Sequence, residues 1–191
     1  IANWVKGKYP VSIQGTGSRA HRTDKQYGEI YDNFAVELTY DDGSVIYSQC
    51  RHFEGISNRV DETFQGTKGR VYLSAGNQAI LWDARGNEIY RHDPKGNPNA
   101  YQQEHKELFE AIANNEYKFD NAEYGAYSTL TGIIGRLACY TGQVIKWDQA
   151  MASTIDLSPE KYAWDANPKV LPDANGIYQV AVPGINTELY I

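Results

Sequence analysis

The sequence is poor in cysteine, in clustered basic residues and in long apolar runs. Its two cysteines, Cys50 and Cys139, are too few and too far apart for a disulfide framework or a CxxC metal site. We expect both to be small buried side chains, one in a strand and one in a helix. A net charge of −6, without any run of Lys or Arg, argues against nucleic-acid or anionic-membrane binding. No apolar run approaches the roughly 20 residues that a membrane span needs.

Several catalytic signatures are also missing from the sequence. It contains no GxSxG motif, no Ser-His-Asp layout and no phosphate-binding loop. The acidic pair Asp41-Asp42 falls in a predicted turn, and Glu104 and Glu107 fall inside a predicted helix, so a glycosidase-type carboxylate pair is not expected. The sequence has four histidines, His21, His52, His92 and His105. None of them forms an HxxxH or HxH spacing, so we expect no metal site.

The segment from Glu123 to Gly142 carries the clearest helical pattern in the chain. Apolar residues recur at helical spacing and form one stripe, which consists of Leu130, Ile133, Ile134, Leu137 and Ala138. Small residues, including Gly125, Gly132 and Gly135, keep the helix thin, so that another backbone can approach it closely. We therefore predict a scaffold helix that lies on a sheet and carries no reacting group.

The part of the chain before this helix is rich in hairpin signals. Residues 33–40 alternate between apolar and polar side chains, which is typical of a half-buried strand, and Asp41-Asp42-Gly43 turns the chain into a partner strand. Thr67-Lys68-Gly69 and Arg85-Gly86-Asn87 mark two further hairpins. Three consecutive hairpins predict an antiparallel meander.

A second helix is predicted after the hairpins, with Asn99 as its N-cap and Gln102 three residues later. One face of this helix carries Tyr101, His105, Leu108, Phe109 and Ile112. Because His105 lies on that apolar face, we expect it in the core or facing a cleft.

Strands followed by helices are typical of an α+β fold. We predict a predominantly antiparallel sheet of about six strands with two main helices on one face. Residues 1–157 are predicted to form one domain, and residues 158–191, rich in Pro and Asn, an extended tail packed on it. The first residues, IANWVKG, have helical spacing and no Met, so we expect the chain to be a fragment of a longer protein whose first helix begins earlier.

The run from Gly15 to Ala20 matches G-x-G-x-x-A, a dinucleotide-binding pattern, and follows the predicted short strand VSIQ. That motif works only when a helix N-terminus presents its amides to the pyrophosphate. Residues 18–29 lack the apolar periodicity of such a helix. The run is therefore interpreted as a flexible Gly-rich loop rather than a nucleotide site.

Basic side chains at the end of a predicted strand and in the polar loop form the best candidate binding site. Arg51 and His52 end the strand, and Arg19 and Arg22 lie in the loop. Donors at the rim of a sheet can hold a hydroxylated or anionic ligand, although ordinary solvated charge would give the same pattern. Fifteen Tyr and four Trp add the amphipathic rings with which surfaces hold sugars or partners.

Longer runs carry a family resemblance over nearly the whole chain. They are ANWVKG followed by YPV, then YGEIYDNFAVE, SQCRH, QGTKG, NAYQQEHKELFEAI, AEYGAYSTLTGIIGRLA, IKWDQA and SPEKYAWDANPKVLPDANGIY. With these runs the chain resembles the C-terminal domain of the glucose-fructose oxidoreductase, inositol dehydrogenase and rhizopine catabolism (Gfo/Idh/MocA) family, in its Bacteroidetes-type branch. Tyr9 departs from the pattern, because His is usual before Pro10.

The resemblance implies a bacterial NAD(P)-dependent sugar or polyol oxidoreductase, with NAD or NADP bound by a preceding Rossmann domain. The C-terminal domain would be similar to those of dihydrodipicolinate reductase and glyceraldehyde-3-phosphate dehydrogenase, would shape the substrate site, and would use its open sheet face to form a homo-oligomer.

The family's catalytic His precedes the ANW run and its general-base Lys lies in the first domain. No catalytic, cofactor-binding or metal-binding residue is therefore expected here, and the fragment alone should be inactive. Cytoplasmic and periplasmic locations both remain open.

Orientation of the substrate hydroxyls is the role that this chain could supply. Our candidates combine donors or ring faces with positions at strand ends or on a helix facing the cleft, and they are Arg22, Arg51, His52, Tyr101 and His105. The alternative function is a non-catalytic carbohydrate-binding or assembly module, whose aromatic-rich sheet face holds a glycan or a second subunit.

Overall fold

The computed structural model describes residues 1–187, which form eight strands and four α-helices. The strands are β1 (Ser12–Ser18), β2 (Asn33–Thr39), β3 (Val45–Arg51), β4 (Asp61–Gly66), β5 (Gly69–Ser74), β6 (Gln78–Asp83), β7 (Glu88–Arg91) and β8 (Ile145–Lys146). The helices are α1 (Ala2–Lys6), α2 (Ala100–Ala113), α3 (Ala122–Thr141) and α4 (Trp147–Met151). The chain divides into two compact units: the first contains Ile1–Glu54 and the chain from Asn121 onward, and the second contains Gly55–Asp120.

The first unit is built on an antiparallel sheet with the strand order β3-β2-β1-β8. Helix α3 packs on one face of this sheet, because its apolar stripe fits the inward-facing side chains of β1 and β2. Gly142 ends the helix in the left-handed conformation. The buried core between helix and sheet consists of Ile13, Leu38, Tyr40, Ile134, Ala138 and Ile145.

The two glycines of the dinucleotide-like run lie inside β1, so the predicted loop begins later than expected, after Ser18. A Cβ atom on Gly15 would lie 2.8 Å from the Cys139 sulfur, and one on Gly17 would lie 2.7 Å from the Asn33 carbonyl oxygen. Real Cβ atoms do not approach other atoms so closely. The glycines are therefore needed because α3 and β2 pack against β1.

The small residues of α3 have different roles from one another. A Cβ atom on Gly135 would touch Val36 of the sheet at 3.4 Å, whereas Cβ atoms on Gly125 and Gly132 would meet nothing within 4 Å. Close approach to the sheet therefore requires a small residue only at position 135. The predicted thin helix is correct for its C-terminal half.

The second unit contains a four-stranded antiparallel meander in the order β4-β5-β6-β7, followed by α2. The side chain of Asn99 caps α2 by accepting hydrogen bonds from the backbone N–H of Tyr101 (3.0 Å) and Gln102 (3.4 Å), as the sequence predicts. The apolar face of α2 is exposed, and Tyr101 and Phe109 keep 79% and 63% of their accessible surface. His105 is also exposed, so it does not lie in the core, and the alternative that it faces a cleft stays a prediction.

The α+β class and the antiparallel hairpins are confirmed. The meander predicted as one sheet of about six strands is divided into two sheets of four strands. Of the two main helices, α3 covers a face of the first sheet, whereas α2 belongs to the second unit. The difference arises because a hairpin pattern fixes which strands are neighbours but not where one sheet ends and the next begins.

The two cysteines differ in their environment. Cys139 lies on α3 and is buried against β1, and burial raises the pKa of its thiol to about 11. Cys50 is exposed, so its predicted burial is wrong. It lies on β3, the strand at the edge of the first sheet, whereas α3 packs mainly on β1 and β2.

The chain after α4 forms no further helix or strand up to residue 187, and residues 188–191 of the predicted tail lie outside the described residues. Ala181 is buried in a cluster with Tyr31, Cys139 and Tyr140. The buried hydroxyl of Tyr31 donates to the carbonyl oxygen of Ala181 at 2.8 Å. This bond attaches the segment around Ala181 to the first unit.

Replacing Tyr31 by Phe should weaken this attachment. The variant leaves the buried Ala181 carbonyl without its partner, which costs about 1–3 kcal/mol. We expect faster amide hydrogen exchange around residues 180–186 and a matching loss in the free energy of unfolding. The control is Tyr162→Phe, since Tyr162 is exposed and its hydroxyl makes no hydrogen bond within residues 1–187. Equal exchange rates in the two variants would show that the Tyr31 bond does not hold this segment.

Candidate functional site

The loop between β1 and β2 is an ordered structure held from within by Arg19. Its guanidinium donates to three backbone carbonyl oxygens, those of Arg22 (2.5 Å), Gly28 (2.7 Å) and Asp24 (2.9 Å). An arginine presents several donors in a fixed planar fork, so one side chain can set the course of several residues. Arg19 therefore shapes the loop and is not a free donor for a ligand.

Asp32 organises the same loop from its other end. Its buried carboxylate accepts hydrogen bonds from the backbone N–H groups of Ala20 (3.0 Å), His21 (2.7 Å) and Arg22 (2.8 Å). The side-chain amide of Asn33 donates to the other carboxylate oxygen at 2.9 Å. Consecutive backbone N–H groups that point at one anion form a nest, and here the anion is a side chain of the protein.

The surroundings of Asp32 favour its charged form. Burial by itself raises the pKa of the carboxyl group, but the bonds from the N–H groups of Arg22, His21 and Ala20 and from the Asn33 side chain lower it further than burial raises it. The net result is a pKa well below the usual range for aspartate. Asp32 is therefore a negative charge fixed at the rim of the first sheet.

Three of the five predicted site residues meet around Asp32 and Asn33. The backbone N–H of Arg22 bonds the Asp32 carboxylate, and the backbone N–H of His52 donates to the Asp32 carbonyl oxygen at 2.9 Å. Arg51 is the register partner of Asn33 across β2 and β3. Arg51 and His52 are exposed, and the Arg22 guanidinium lies 5.3 Å from the centre of the Tyr27 ring. The structure thus brings the backbones of two arginines and a histidine together at the end of the sheet where β2 begins.

The other two predicted residues, Tyr101 and His105, lie one turn apart on α2 in the second unit. The His105 ring nitrogen Nδ1 is 2.6 Å from the Tyr101 carbonyl oxygen, which can only accept, so Nδ1 donates this hydrogen bond. Both side chains are exposed. They form a pair of their own on the second unit, and their role in substrate binding stays a prediction.

Sequence reasoning missed Asp32, the residue that orders this site. It stands next to Asn33 at the start of a strand, where Asp and Asn commonly bond nearby backbone groups. This position was the feature of the sequence that could have indicated a structural role for Asp32. The sequence does not show that the three donors come from residues 20–22, because the course of the loop depends on Arg19.

The G-x-G-x-x-A run does not have the geometry of a dinucleotide-binding motif. The G-x-G-x-x-A run would need open glycines before a helix, but Gly15 and Gly17 lie in a strand and face packed atoms. Among residues 1–187, no group of three or more His, Cys, Asp or Glu side chains could hold a metal ion. In the same part of the chain, no helix combines the length and the apolar character that a membrane crossing requires.

Comparison with solved structures identifies the fold. The chain is similar to an aldose-aldose oxidoreductase from Caulobacter crescentus complexed with glycerol, with a TM-score of 0.60 and 20% identity over 76% of this chain and 43% of that one. A putative oxidoreductase from Thermotoga maritima matches with a TM-score of 0.54 and 18% identity over 75% of this chain and 42% of that one. An oxidoreductase from Agrobacterium radiobacter, in complex with NAD+, L-tartaric acid and magnesium, matches with a TM-score of 0.50 and 12% identity over 76% of this chain and 45% of that one.

These likenesses show that the chain has the fold of the C-terminal portion of oxidoreductases. The fold agrees with the resemblance to the C-terminal domain of the Gfo/Idh/MocA family. The chain spans less than half the length of the solved oxidoreductases that it matches. No protein-family profile matches it, and neither does any curated protein.

Proposed function

We propose that this chain is the substrate-binding and oligomerisation domain of an NAD(P)-dependent sugar or polyol oxidoreductase of the Gfo/Idh/MocA family. The observation that carries the proposal is the convergence of Arg22, Arg51 and His52 on the edge of the first sheet around Asp32. Exposed guanidinium and imidazole donors at the end of β3, beside the ordered loop that carries Arg22, suit a ligand with many hydroxyl groups. Two of the similar structures hold such molecules, glycerol in one and L-tartaric acid in the other.

The residues around Asp32 would bind and orient the substrate. The bound NAD or NADP would supply the hydride acceptor, held by a domain outside these 191 residues. Arg51 and His52 would donate to substrate hydroxyl oxygens, and the fixed charge of Asp32 would hold the loop that positions Arg22. A site of this kind places a carbinol in a single orientation and so reduces the entropy lost on reaching the reactive geometry.

Replacing Arg51 by Ala should weaken polyol binding by about tenfold, because a hydrogen bond from a charged donor contributes roughly 1.5–3 kcal/mol. The Arg51 side chain makes no hydrogen bond or ion pair within residues 1–187, so its removal should leave stability unchanged. The measurement is a titration of the 191-residue chain with glycerol, myo-inositol and D-gluconate, followed by amide chemical shifts of the backbone.

Arg85→Ala is the matched control for that titration. Arg85 is an exposed arginine in the turn between β6 and β7 of the second unit. We expect it to bind the three compounds as the unchanged chain does. Equal affinities of the Arg51→Ala variant and the unchanged chain would contradict the proposed substrate site.

The second candidate is a non-catalytic carbohydrate-binding or assembly module. It is favoured by exposed aromatic side chains of the first unit, namely Tyr47, Tyr162 and Trp164. Tyr47 lies on the face of the first sheet opposite to α3, in register with Gln14 and Glu37. A homo-oligomer formed through that open face is part of our proposal in either case. The two candidates differ in whether the protein turns over a nicotinamide cofactor.

A further inference from the structure

The second unit contains a cavity that belongs to neither the Asp32 site nor the pair Tyr101 and His105. It lies where the β5–β6 hairpin, the end of β7 and the first turn of α2 come together, and its volume is about 420 Å³. Ligand cavities in proteins typically measure about 300–1,000 Å³. The cavity is therefore large enough for a small molecule.

Side-chain amides form the polar part of the cavity wall. Four carboxamide residues line it, and these are Asn77, Gln78, Asn97 and Gln103. The amides of Asn77 and Gln78 make no hydrogen bond to another group within residues 1–187. Gln103 uses its NH2 group on Glu107 (2.9 Å), which leaves its carbonyl oxygen as an acceptor. The wall thus offers both donors and acceptors that have no other partner.

His92 contributes an aromatic ring to the same wall. The Asn97 amide nitrogen lies 2.7 Å from Nε2 of His92, and an amide NH2 group only donates, so Nε2 is the unprotonated nitrogen. The other ring nitrogen, Nδ1, lies 3.4 Å from the Tyr90 hydroxyl. These contacts orient the half-buried ring.

The composition of the wall specifies the class of ligand. No Asp, Glu, Lys or Arg side chain lines the cavity, so a charged ligand would lose part of its hydration without finding a counter-charge. Leu73 and Ala79 supply an apolar floor, on which the C–H face of a ring can lie. A floor of C–H groups bounded by amides matches the two surfaces of a sugar ring, which has apolar faces and hydroxyl groups around its edge.

We propose that this cavity binds a neutral polyhydroxylated ring of monosaccharide size. The amides of Asn77 and Gln78 bond its hydroxyl groups, and its ring face contacts Leu73 and Ala79. This site is separate from the Asp32 site, and it gives the second unit a ligand-binding function of its own.

The test uses the 191-residue chain and follows backbone and side-chain amide shifts during titration with D-glucose, and separately with D-glucuronate. The two probes share a ring and differ by one carboxylate. We expect saturable shifts at Gln78, His92 and Gln103 with D-glucose and binding at least tenfold weaker with D-glucuronate, because the cavity wall has no cation. Absence of saturable shifts at these residues, or equal binding of the two probes, would overturn the proposal.

A matched pair of variants distinguishes the loss of a side-chain amide in the cavity from the effect of placing glycine at a backbone position with positive φ. Asn77 and Asn115 both have positive φ angles, 59° and 55°, which glycine adopts readily. Asn77→Gly removes a cavity amide without straining the turn and should weaken D-glucose binding about fivefold, the effect of one lost hydrogen bond. Asn115→Gly, at the C-terminal end of α2, should bind as the unchanged chain does. Unchanged affinity in the Asn77→Gly variant would refute the role of this amide and with it the proposed site.

Discussion

Replacing Asp32 by Ala is expected to destabilise the protein by about 3–5 kcal/mol at pH 7, because it removes the charged acceptor of several part-buried backbone donors, and each such hydrogen bond contributes roughly 1.5–3 kcal/mol. The donors are the backbone N–H groups of residues 20–22, which all point at the Asp32 carboxylate. Urea unfolding at pH 7, compared between the variant and the unchanged chain, measures the difference in free energy. Asp32→Asn retains the shape of the side chain but replaces an acceptor with an NH2 group, so it should cost about 1–3 kcal/mol.

The stability that Asp32 provides should depend on pH. The folded-state pKa of this carboxyl group is depressed, so the unfolded chain takes up a proton more readily than the folded one. The contribution is therefore fully present above the unfolded pKa of about 3.9 and is lost as the pH falls toward the folded pKa. We expect the difference between the unchanged chain and Asp32→Ala to be constant from pH 6 to 8 and to decrease progressively below about pH 5.

Asp24→Ala is the control for both measurements. Asp24 lies in the same loop, but it is exposed and its carboxylate makes no hydrogen bond within residues 1–187. Removal of its carboxylate should change the free energy of unfolding by less than about 0.5 kcal/mol, both at pH 7 and below about pH 5. A cost for Asp32→Ala no larger than that for Asp24→Ala would show that the nest does not hold the loop.

Replacing Gly15 by Ala is the second change with a large expected effect. The new Cβ atom would lie 2.8 Å from both the Cys139 sulfur and a Val36 methyl carbon, and 2.9 Å from the Ala35 carbonyl oxygen. Overpacking of this kind typically costs about 1–3 kcal/mol, and we expect a value near the upper limit because one of the three atoms is backbone. Thermal and urea unfolding measure the loss.

Gly125→Ala is the matched control and should change stability in the opposite direction. Its Cβ atom meets nothing within 4 Å and lies in α3, where Ala is favoured over Gly by about 0.5–1 kcal/mol. If Gly15 belonged to an open ligand-binding loop, Gly15→Ala would leave stability nearly unchanged. That result would contradict the packing role assigned to the dinucleotide-like run.

The sequence predicts the elements of this fold better than it predicts their arrangement. The predicted segment from Glu123 to Gly142 matches α3 to within one residue at each end, because the apolar stripe from Leu130 to Ala138 marks the helix and Gly142 marks its C-terminal end. The turn signals around Gly43, Gly69 and Gly86 correctly locate three hairpins. The C-terminal end of β1 could not be predicted, because Gly15 and Gly17 have no side chains to show the alternation of a strand.

The sequence likewise predicts some residues of the candidate site but not the residue that orders it. Arg51 and His52 could be placed at a strand end, because the hairpin register is set by a turn eight residues earlier. Asp32 could not be identified, because its role depends on a loop whose path is set by Arg19 through three carbonyl contacts. The exposure of Cys50 and of the apolar face of α2 depends on which element packs beside them, and no local pattern contains that information.

The central claim, that this chain is the substrate-side domain of an oxidoreductase, is tested most directly by turnover of the protein encoded by the complete gene. The measurement is reduction of NAD+ and of NADP+ with a panel of sugars and polyols, for the unchanged protein and for Arg51→Ala and Arg85→Ala. We predict sugar-dependent reduction of one cofactor, a KM for the sugar raised about tenfold by Arg51→Ala, and no change with Arg85→Ala. Sugar binding without nucleotide binding or turnover would contradict the account and would favour the carbohydrate-binding module.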